Sequence, residues 1–164
     1  MQGNIINNGI IRDYSYAFSI NISGDVVNNG LWQNHYTRLN GTTDQHITCL
    51  NNARFTGYQF ISQNSTALVY FDTEVGFHNT QVLFGGNNLE LPENSILFIH
   101  DSYITDCNLH GNGPTSVVHG EGEYHVDGQS MINITMEDVT LTGDWGMQHG
   151  IVMNGTIIND GRIQ

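Results

Sequence analysis

One seven-residue phrase recurs along the chain, and its spacing restricts the folds that the sequence can adopt. Ile5-Ile-Asn-Asn-Gly-Ile-Ile11 and Val26-Val-Asn-Asn-Gly-Leu-Trp32 match in character at every position and begin 21 residues apart. A related phrase, Ile157-Ile-Asn-Asp-Gly-Arg-Ile163, occurs near the C-terminus. Another pattern links Ala53-Arg-Phe-Thr-Gly57 with Val139-Thr-Leu-Thr-Gly143, 86 residues or about four periods later. A period near 21 to 22 residues is typical of repeat architectures.

The segments between these phrases favour short strands. Stretches such as Ala67 to Phe71, Ile96 to Ile99 and Ile132 to Met136 alternate in polarity, and each ends near Gly, Asn or Asp. No window has the i, i+3, i+4, i+7 spacing of an amphipathic helix. A sandwich does not require one phrase at both ends of the chain, whereas a solenoid does, because each coil stacks its apolar residues on the next. We therefore predict an all-β, single-stranded parallel β-helix (β-solenoid) of about seven coils, forming one domain over residues 1–164.

The Asn-Gly part of the phrase is expected to lie at a turn of each coil. Asn and Gly adopt left-handed backbone conformations that other residues resist. Asn side chains stacked on successive coils also form hydrogen-bonded ladders. Asn7 and Asn28 should therefore occupy equivalent corners of neighbouring coils.

This repeat pattern resembles the right-handed parallel β-helix, the pectin-lyase-like superfold, over most of the chain. The resemblance implies carbohydrate as the ligand class, because many such proteins are extracellular polysaccharide hydrolases, lyases, tailspikes or adhesins. The motifs of the polygalacturonan-cutting branch, Asn-x-Asp, Asp-Asp, Gly-His-Gly and Arg-x-Lys, do not occur here. Ile99-His100-Asp101 is faintly similar to the Asp-His element of calcium-dependent lyases, in reversed order, but is also typical of a capped turn. A shared fold does not establish an activity.

The charge balance excludes several classes of partner. Sixteen acidic residues accompany four arginines and no lysine, which gives a formal net charge of -12. Nucleic acids and anionic membranes bind cationic surfaces, so neither is an expected partner. No apolar run approaches the roughly 18 residues of a spanning helix, so no membrane insertion is expected. Cys49 and Cys107 fall between two and three coils apart, too far for a disulfide, and are predicted to be buried thiols. They leave the redox compartment undecided.

The most distinctive polar segment is His119-Gly-Glu-Gly-Glu-Tyr-His-Val-Asp127. On a single strand, alternate residues share one face, so five ligand-type side chains would project together: His119, Glu121, Glu123, His125 and Asp127. Imidazoles and carboxylates bind divalent cations. Alternate residues are about 6.6 Å apart, so one ion would need a bend at Gly120 or Gly122, or help from an adjacent coil.

The same segment allows two other interpretations. It fits a solvated outer strand whose polar face is acidic. Alternatively, Glu121 and Glu123 form a carboxylate pair for glycoside hydrolysis, in which the separation of the two groups distinguishes retaining from inverting geometry. Sequence spacing alone does not decide among a metal site, a sugar site and a solvated face.

The remaining histidines and aromatic residues lack an equally regular pattern. Five histidines are scattered without ligand-like spacing and are expected on the surface or in turns: His35, His46, His78, His110 and His149. Trp32 and Trp145 are better explained as core or surface filling than as a sugar platform. Six other aromatics are expected inside the coils or under a loop: Phe55, Tyr58, Phe60, Tyr70, Phe71 and Phe77.

The leading functional hypothesis is a noncatalytic structural or adhesive module, extracellular or displayed on a cell or virion surface, that belongs to a fibre-like protein and binds polysaccharide. The alternative is a polysaccharide-processing lyase or glycoside hydrolase that uses Glu121 and Glu123. No cofactor is expected beyond a divalent cation. Similar phrases at both ends, without an evident cap, indicate either a fragment of a longer solenoid or a unit that stacks end to end.

Overall fold

A computed structural model describes residues 3–13, 17–63 and 67–164, apart from the side chains of residues 126 and 127. Within these ranges every regular element is a β-strand, and every strand pairing is parallel. The strands wind into about seven turns of a β-solenoid, as the repeat predicts. Successive turns contribute to three columns of stacked strands.

The first column begins with the Asn-Gly phrase. Its strands are β1 (Ile5–Asn7), β4 (Val26–Asn28), β7 (Gln45–Cys49), β10 (Val69–Phe71), β13 (Asn88–Leu91), β16 (Asn108–Gly111) and the second half of β18 (Glu123–Ile132). Ile5 pairs with Val26, and Asn7 pairs with Asn28. The recurring phrase therefore marks equivalent corners of neighbouring turns, and that prediction is confirmed.

The second column forms a sheet of its own, eight strands in the described residues. Its strands are β2 (Ile10–Arg12), β5 (Leu31–Gln33), β8 (Arg54–Phe55), β11 (Glu74–His78), β14 (Ile96–His100), β17 (Val117–His119), β19 (Thr135–Glu137) and β21 (Val152–Asn154). The inward-facing rings of Trp32, Phe55 and Phe77 lie in one stack, with centroids 5.2 and 5.5 Å apart. This stack contributes to the apolar interior of the second, third and fourth turns.

The third column completes each turn. Its strands are β3 (Ser19–Ile22), β6 (Tyr36–Leu39), β9 (Gln59–Ser62), β12 (Gln81–Leu83), β15 (Tyr103–Thr105), the first half of β18, the first half of β20 (Thr140–Met147) and β22 (Ile158–Asn159). The end of β20 continues into the first column, where it pairs with the second half of β18, and β23 (Arg162–Ile163) pairs with Asp144 and Trp145 of β20. Strand β18 runs from the third column into the first, with a register irregularity between Asp127 and Ser130. It joins the two columns into one sheet.

The later copies of the sequence phrases are not structurally equivalent to the first ones. Ile158 pairs with Thr140 and Ile163 with Trp145, so the C-terminal phrase begins in the third column, whereas the N-terminal phrase begins in the first. The two Thr-Gly phrases likewise fall in different columns, one on β8 and one on β20. The turns also shorten: stacked partners are 21 residues apart at Asn7 and Asn28 but 17 apart at His125 and Thr142. The prediction that both ends repeat one coil is wrong, because the period drifts along the chain.

The Asn ladders are present, but their backbone is not left-handed. Asn7 Nδ2 donates to Asn28 Oδ1 at 2.9 Å, and both side chains are buried. Positive φ values occur elsewhere, for example at Asn79 and Asp101. Gly30 is required for close stacking, because a Cβ there would lie 2.1 Å from the Gly9 carbonyl oxygen. The phrase therefore specifies tight packing of successive turns, and the prediction of left-handed residues within it is wrong.

The interior holds both cysteines and both tryptophans. Cys49 and Cys107 are buried free thiols, as predicted. Burial raises the pKa of Cys49 to about 12 and raises that of Cys107 as well. Trp32 and Trp145 are fully buried, which confirms the core interpretation. The four predicted core phenylalanines are buried too, whereas Tyr58 is 45% exposed and Tyr70 is only partly buried, so the interior placement is wrong for these two tyrosines.

Candidate functional site: a groove at one corner of the solenoid

The candidate site lies where the chain passes from the second column to the third. Three residues, Gly120 to Gly122, make this corner between His119 and Glu123, whereas four residues separate their register partners Phe98 and Tyr103 in the preceding turn. Gly120 has a φ of 111°, and the Gly122 N–H donates to its carbonyl oxygen at 2.8 Å. A Cβ on Gly120 would lie 2.2 Å from the Ile99 carbonyl oxygen. The chain therefore passes this corner in a tight glycine turn, with Glu121 exposed at its tip.

This turn borders an open groove of about 960 Å³. Its walls come from four successive turns of the solenoid, from Phe98 on β14 to Ile158 on β22. The side chains that give it chemical character are Phe98, His100, Asp101, His119, Glu121, Glu123, Asp138 and Thr140. Four carboxylates and two imidazoles thus face one groove, whose described lining contains no arginine. The site is acidic, with one aromatic ring in its wall.

The single-strand interpretation of residues 119–127 is wrong. His119 is the last residue of β17 and Glu123 the first residue of β18, because the glycine turn separates them. The bend anticipated at Gly120 is present. The turn still leaves His119, Glu121 and Glu123 on the same groove.

The other two members of the predicted pentad lie apart from these three. His125 is outside the groove lining, and its Nδ1 lies 2.9 Å from Thr142 Oγ1 in the next turn. The side chain of Asp127 lies outside the described part of the structure. Tyr124, between Glu123 and His125, points into the core as the alternation predicts.

Hydrogen bonds between turns hold several groove residues in place. Glu123 Oε1 accepts a hydrogen bond from Thr142 Oγ1 at 2.8 Å. Asp138 Oδ1 accepts one from the Thr156 N–H at 2.7 Å. These two hydrogen bonds orient carboxylates of the groove before any ligand arrives. His119 Nδ1, in contrast, is buried without a hydrogen-bond partner among the described residues, and the Glu137 Oε2 atom lies 3.7 Å from it.

The aromatic wall is built by stacking along the second column. Phe98 pairs with His119 in the β14–β17 register, and their ring centroids are 5.7 Å apart. On the opposite side, the Arg54 guanidinium carbon lies 4.9 Å from the Phe98 centroid, while the same guanidinium pairs with Glu74. The cation–π contact and the ion pair together fix the position of the ring.

Tyr124 lies behind the groove, in the core. Its side chain is fully buried, and its hydroxyl has no hydrogen-bond partner among the described residues. Burial, with a smaller contribution from nearby Cys107, raises the pKa of Tyr124 well above its usual value. The phenol is therefore protonated at neutral pH and unsuited to act as a base.

Sequence reasoning missed the cluster of His78, His100 and Asp101 beside this groove. His78 pairs with His100 in the β11–β14 register, and Asp101 follows directly. The available signal is the spacing: His78, grouped above with the scattered histidines, lies 22 residues or one repeat period before the His100-Asp101 pair that resembles a lyase element. His35, His46 and His110 are partly or fully exposed surface residues, as predicted, with His46 beside Asp72 and His110 beside Glu90.

Three comparisons with known proteins gave no match. A scan against protein-family models found no match, and searches of curated proteins and of solved structures found none either. Within the described residues, the chain forms no helix of the length and apolar character needed to cross a membrane.

Proposed function

We propose that this chain is a noncatalytic, carbohydrate-binding β-solenoid module of a structural or adhesive, fibre-like protein displayed outside the cell or on a virion. The observation that carries the proposal is the corner groove, in which one aromatic ring lies among six carboxylate and imidazole side chains. Ligand sites combine an apolar surface with a few placed polar groups. A polysaccharide segment offers ring C–H faces and hydroxyl groups that match this combination.

The construction of the groove supports binding of an extended chain. Its walls belong to stacked parallel strands, and several polar groups are tied to neighbouring turns. A rigid site loses little conformational freedom when it binds, so weak contacts summed along a sugar chain give useful affinity. Rigid stacked turns with a solvent-open groove also suit a role in surface attachment.

The charge of the groove selects among sugar types. Asp101, Glu121, Glu123 and Asp138 line it, and the chain has a net charge of -12. Like charges repel an anionic ligand, whereas carboxylates attract amino groups and accept hydrogen bonds from neutral hydroxyls. We therefore expect glycans containing amino sugars to bind best, neutral glycans less well and uronic-acid polymers least.

Calorimetry with three hexasaccharides tests this proposal: glucosamine, cellulose and galacturonate oligomers. Phe98→Ala should weaken binding of the glucosamine hexamer by about tenfold or more, because the aromatic wall is lost. Tyr58→Ala is the matched control, since it removes an exposed aromatic ring outside the groove and should leave the affinity unchanged. Tightest binding of galacturonate, no binding of any oligomer, or an effect of Tyr58→Ala without one of Phe98→Ala would overturn the proposal.

An enzymatic role is the second candidate, because Glu121 and Glu123 both line the groove. In that case one carboxyl group would protonate a glycosidic oxygen while the other acts as nucleophile or base. Assays for reducing ends and for unsaturated products, on neutral, amino and acidic polysaccharides, distinguish the two candidates. Turnover by the unmodified protein that is lost in both Glu121→Gln and Glu123→Gln would replace the noncatalytic proposal.

A further inference from the structure

We propose that His78, His100 and Asp101 form a binding site for one divalent transition-metal ion of the zinc type. His100 Nε2 lies 3.4 Å from Asp101 Oδ2, and His78 Nε2 lies 3.9 Å from the same oxygen. Each residue offers one ligand atom, and all three atoms lie within 4.8 Å of one another. The proposal does not depend on carbohydrate binding.

The strand register explains why these three side chains meet. His78 and His100 are the final residues of β11 and β14, and they pair directly in adjacent turns, with ring centroids 4.9 Å apart. Asp101 has a φ of 46°, so the chain turns immediately after His100. The Asn79 N–H donates to the His100 carbonyl oxygen at 3.2 Å and holds the two turns together. The backbone therefore brings the three side chains together without help from a metal.

The chemistry of the ligands selects the metal. Two imidazoles and one carboxylate suit zinc and neighbouring transition metals, whereas calcium and magnesium prefer all-oxygen sites. Tetrahedral coordination with bonds of about 2.0–2.1 Å separates ligand atoms by about 3.3 Å. The three side chains are 38–61% exposed, so small rotations can close the remaining gap.

The site retains room for a further ligand. His100 and Asp101 also line the corner groove, so an open coordination position would face solvent or a molecule in that groove. Phe98 packs beside His100, with an interplanar angle of 13° and a centroid distance of 6.4 Å, and restricts the imidazole on that side. Three protein ligands with one open position are typical of reactive rather than closed structural zinc sites.

Other histidine–carboxylate pairs of the chain provide the matched comparison. His110 Nδ1 lies 3.0 Å from Glu90 Oε1, closer than either imidazole lies to Asp101. In the described residues, the only group of three or more potential ligands is His78, His100 and Asp101. Comparing a variant of the His110–Glu90 pair with variants of the three-residue cluster therefore distinguishes specific metal binding from nonspecific attraction to surface histidines and carboxylates.

The test uses the chain without a histidine tag, stripped with chelator and titrated with Zn²⁺ in a calorimeter. We expect one site per chain, at least tenfold weaker binding in His78→Ala and in His100→Ala, and no change in His110→Ala. Co²⁺ should give the intense visible absorption of a four-coordinate site. Absence of binding, unchanged affinity in both triad variants, or an equal loss in His110→Ala would overturn the proposal.

A second measurement needs no substitution and so remains valid if a variant fails to fold. Imidazole ¹⁵N resonances of the unmodified chain are followed during the Zn²⁺ titration. The ring nitrogens of His78 and His100 should shift together and saturate at one equivalent, while those of His110 stay in place. Shifts spread equally over all histidines would show adventitious binding and contradict the site.

Discussion

At the scale of single residues, buried asparagines determine how the first turns fit together. Asn28 is fully buried; its Oδ1 accepts from Asn7 Nδ2 and, at 3.3 Å, from the Gly30 N–H. In the interior, water does not replace a lost partner, so each broken hydrogen bond leaves a desolvated polar group. The Asn28 amide thus adds to the backbone pairing that stacks turns one and two.

Asn28→Ala should lower the free energy of unfolding by about 2–3 kcal/mol, because it leaves buried donors without their acceptor. Urea denaturation followed by circular dichroism measures the change. Asn8→Ala is the control: this side chain is exposed and contacts Asn29 at 3.3 Å, so its loss should cost no more than about 0.5 kcal/mol. Equal losses in the two variants would show that the buried ladder does not stabilise the stack.

At the scale of elements, the glycine turn between β17 and β18 shapes the candidate site. Four residues lie between Phe98 and Tyr103, but only three, Gly120 to Gly122, lie between their register partners His119 and Glu123. The shorter connection brings Gly120 close to the Ile99 carbonyl oxygen and leaves Glu121 exposed at the tip of the turn. The groove therefore borders a tight corner whose backbone requires glycine.

Substitution of the turn glycine tests that explanation. Gly120 and Gly113 have φ values of 111° and 106°, but only Gly120 has a carbonyl oxygen where a Cβ would lie. We expect Gly113→Ala to lower the free energy of unfolding by about 1–3 kcal/mol, because alanine is strained at this φ. Gly120→Ala should lower it by about 1–3 kcal/mol more than Gly113→Ala does, because its Cβ overlaps the Ile99 carbonyl oxygen, and should also weaken oligosaccharide binding.

Urea denaturation and calorimetry on both glycine variants give the comparison. If Gly120→Ala matched Gly113→Ala in stability and bound sugar normally, the close approach of this turn to Ile99 would not shape the groove.

The elements also show where sequence reasoning succeeds and fails. Repetition of Ile5 to Ile11 at Val26 to Trp32 predicts the stacking, because residues one period apart must share an environment. The alternation from His119 to Asp127 is misleading, since a two-residue period has meaning only within one strand, and β17 ends at His119. Gly120 and Gly122 are the sequence signal for this break. His78 and His100 show the converse: they lie one period apart, so the stacking rule that places Asn7 beside Asn28 also predicts their proximity.

At the scale of the whole molecule, the first and last described turns carry exposed strand edges and apolar side chains. In the described part, β1, β2 and β3 each pair with a strand on one side only. The first turn also exposes Ile6 and Ile10, at 67% and 69%, and the last turns expose Met153 and Ile158. Unpaired strand edges beside apolar side chains favour pairing with a further chain.

We expect this chain to associate end to end in an open series. Sedimentation velocity and light scattering should show a mean mass that rises with concentration without a plateau at a small closed oligomer. The double substitution Ile6→Lys and Ile10→Lys should suppress this growth, because it places charge beside the edge. Leu50→Lys, at a 42% exposed site away from the ends, is the control. A concentration-independent monomer or closed dimer would contradict end-to-end stacking.

Locating a bound sugar on the protein tests most directly whether the corner groove is the carbohydrate-binding site of this solenoid. Backbone amide resonances of the isotope-labelled chain are followed while the glucosamine hexamer is added. The proposal predicts saturable shifts at Phe98, Glu121, Glu123 and Thr140, with little change at Tyr36 and Tyr58. Shifts confined to the Tyr36 and Tyr58 face, or no saturable shifts at any residue, would contradict it.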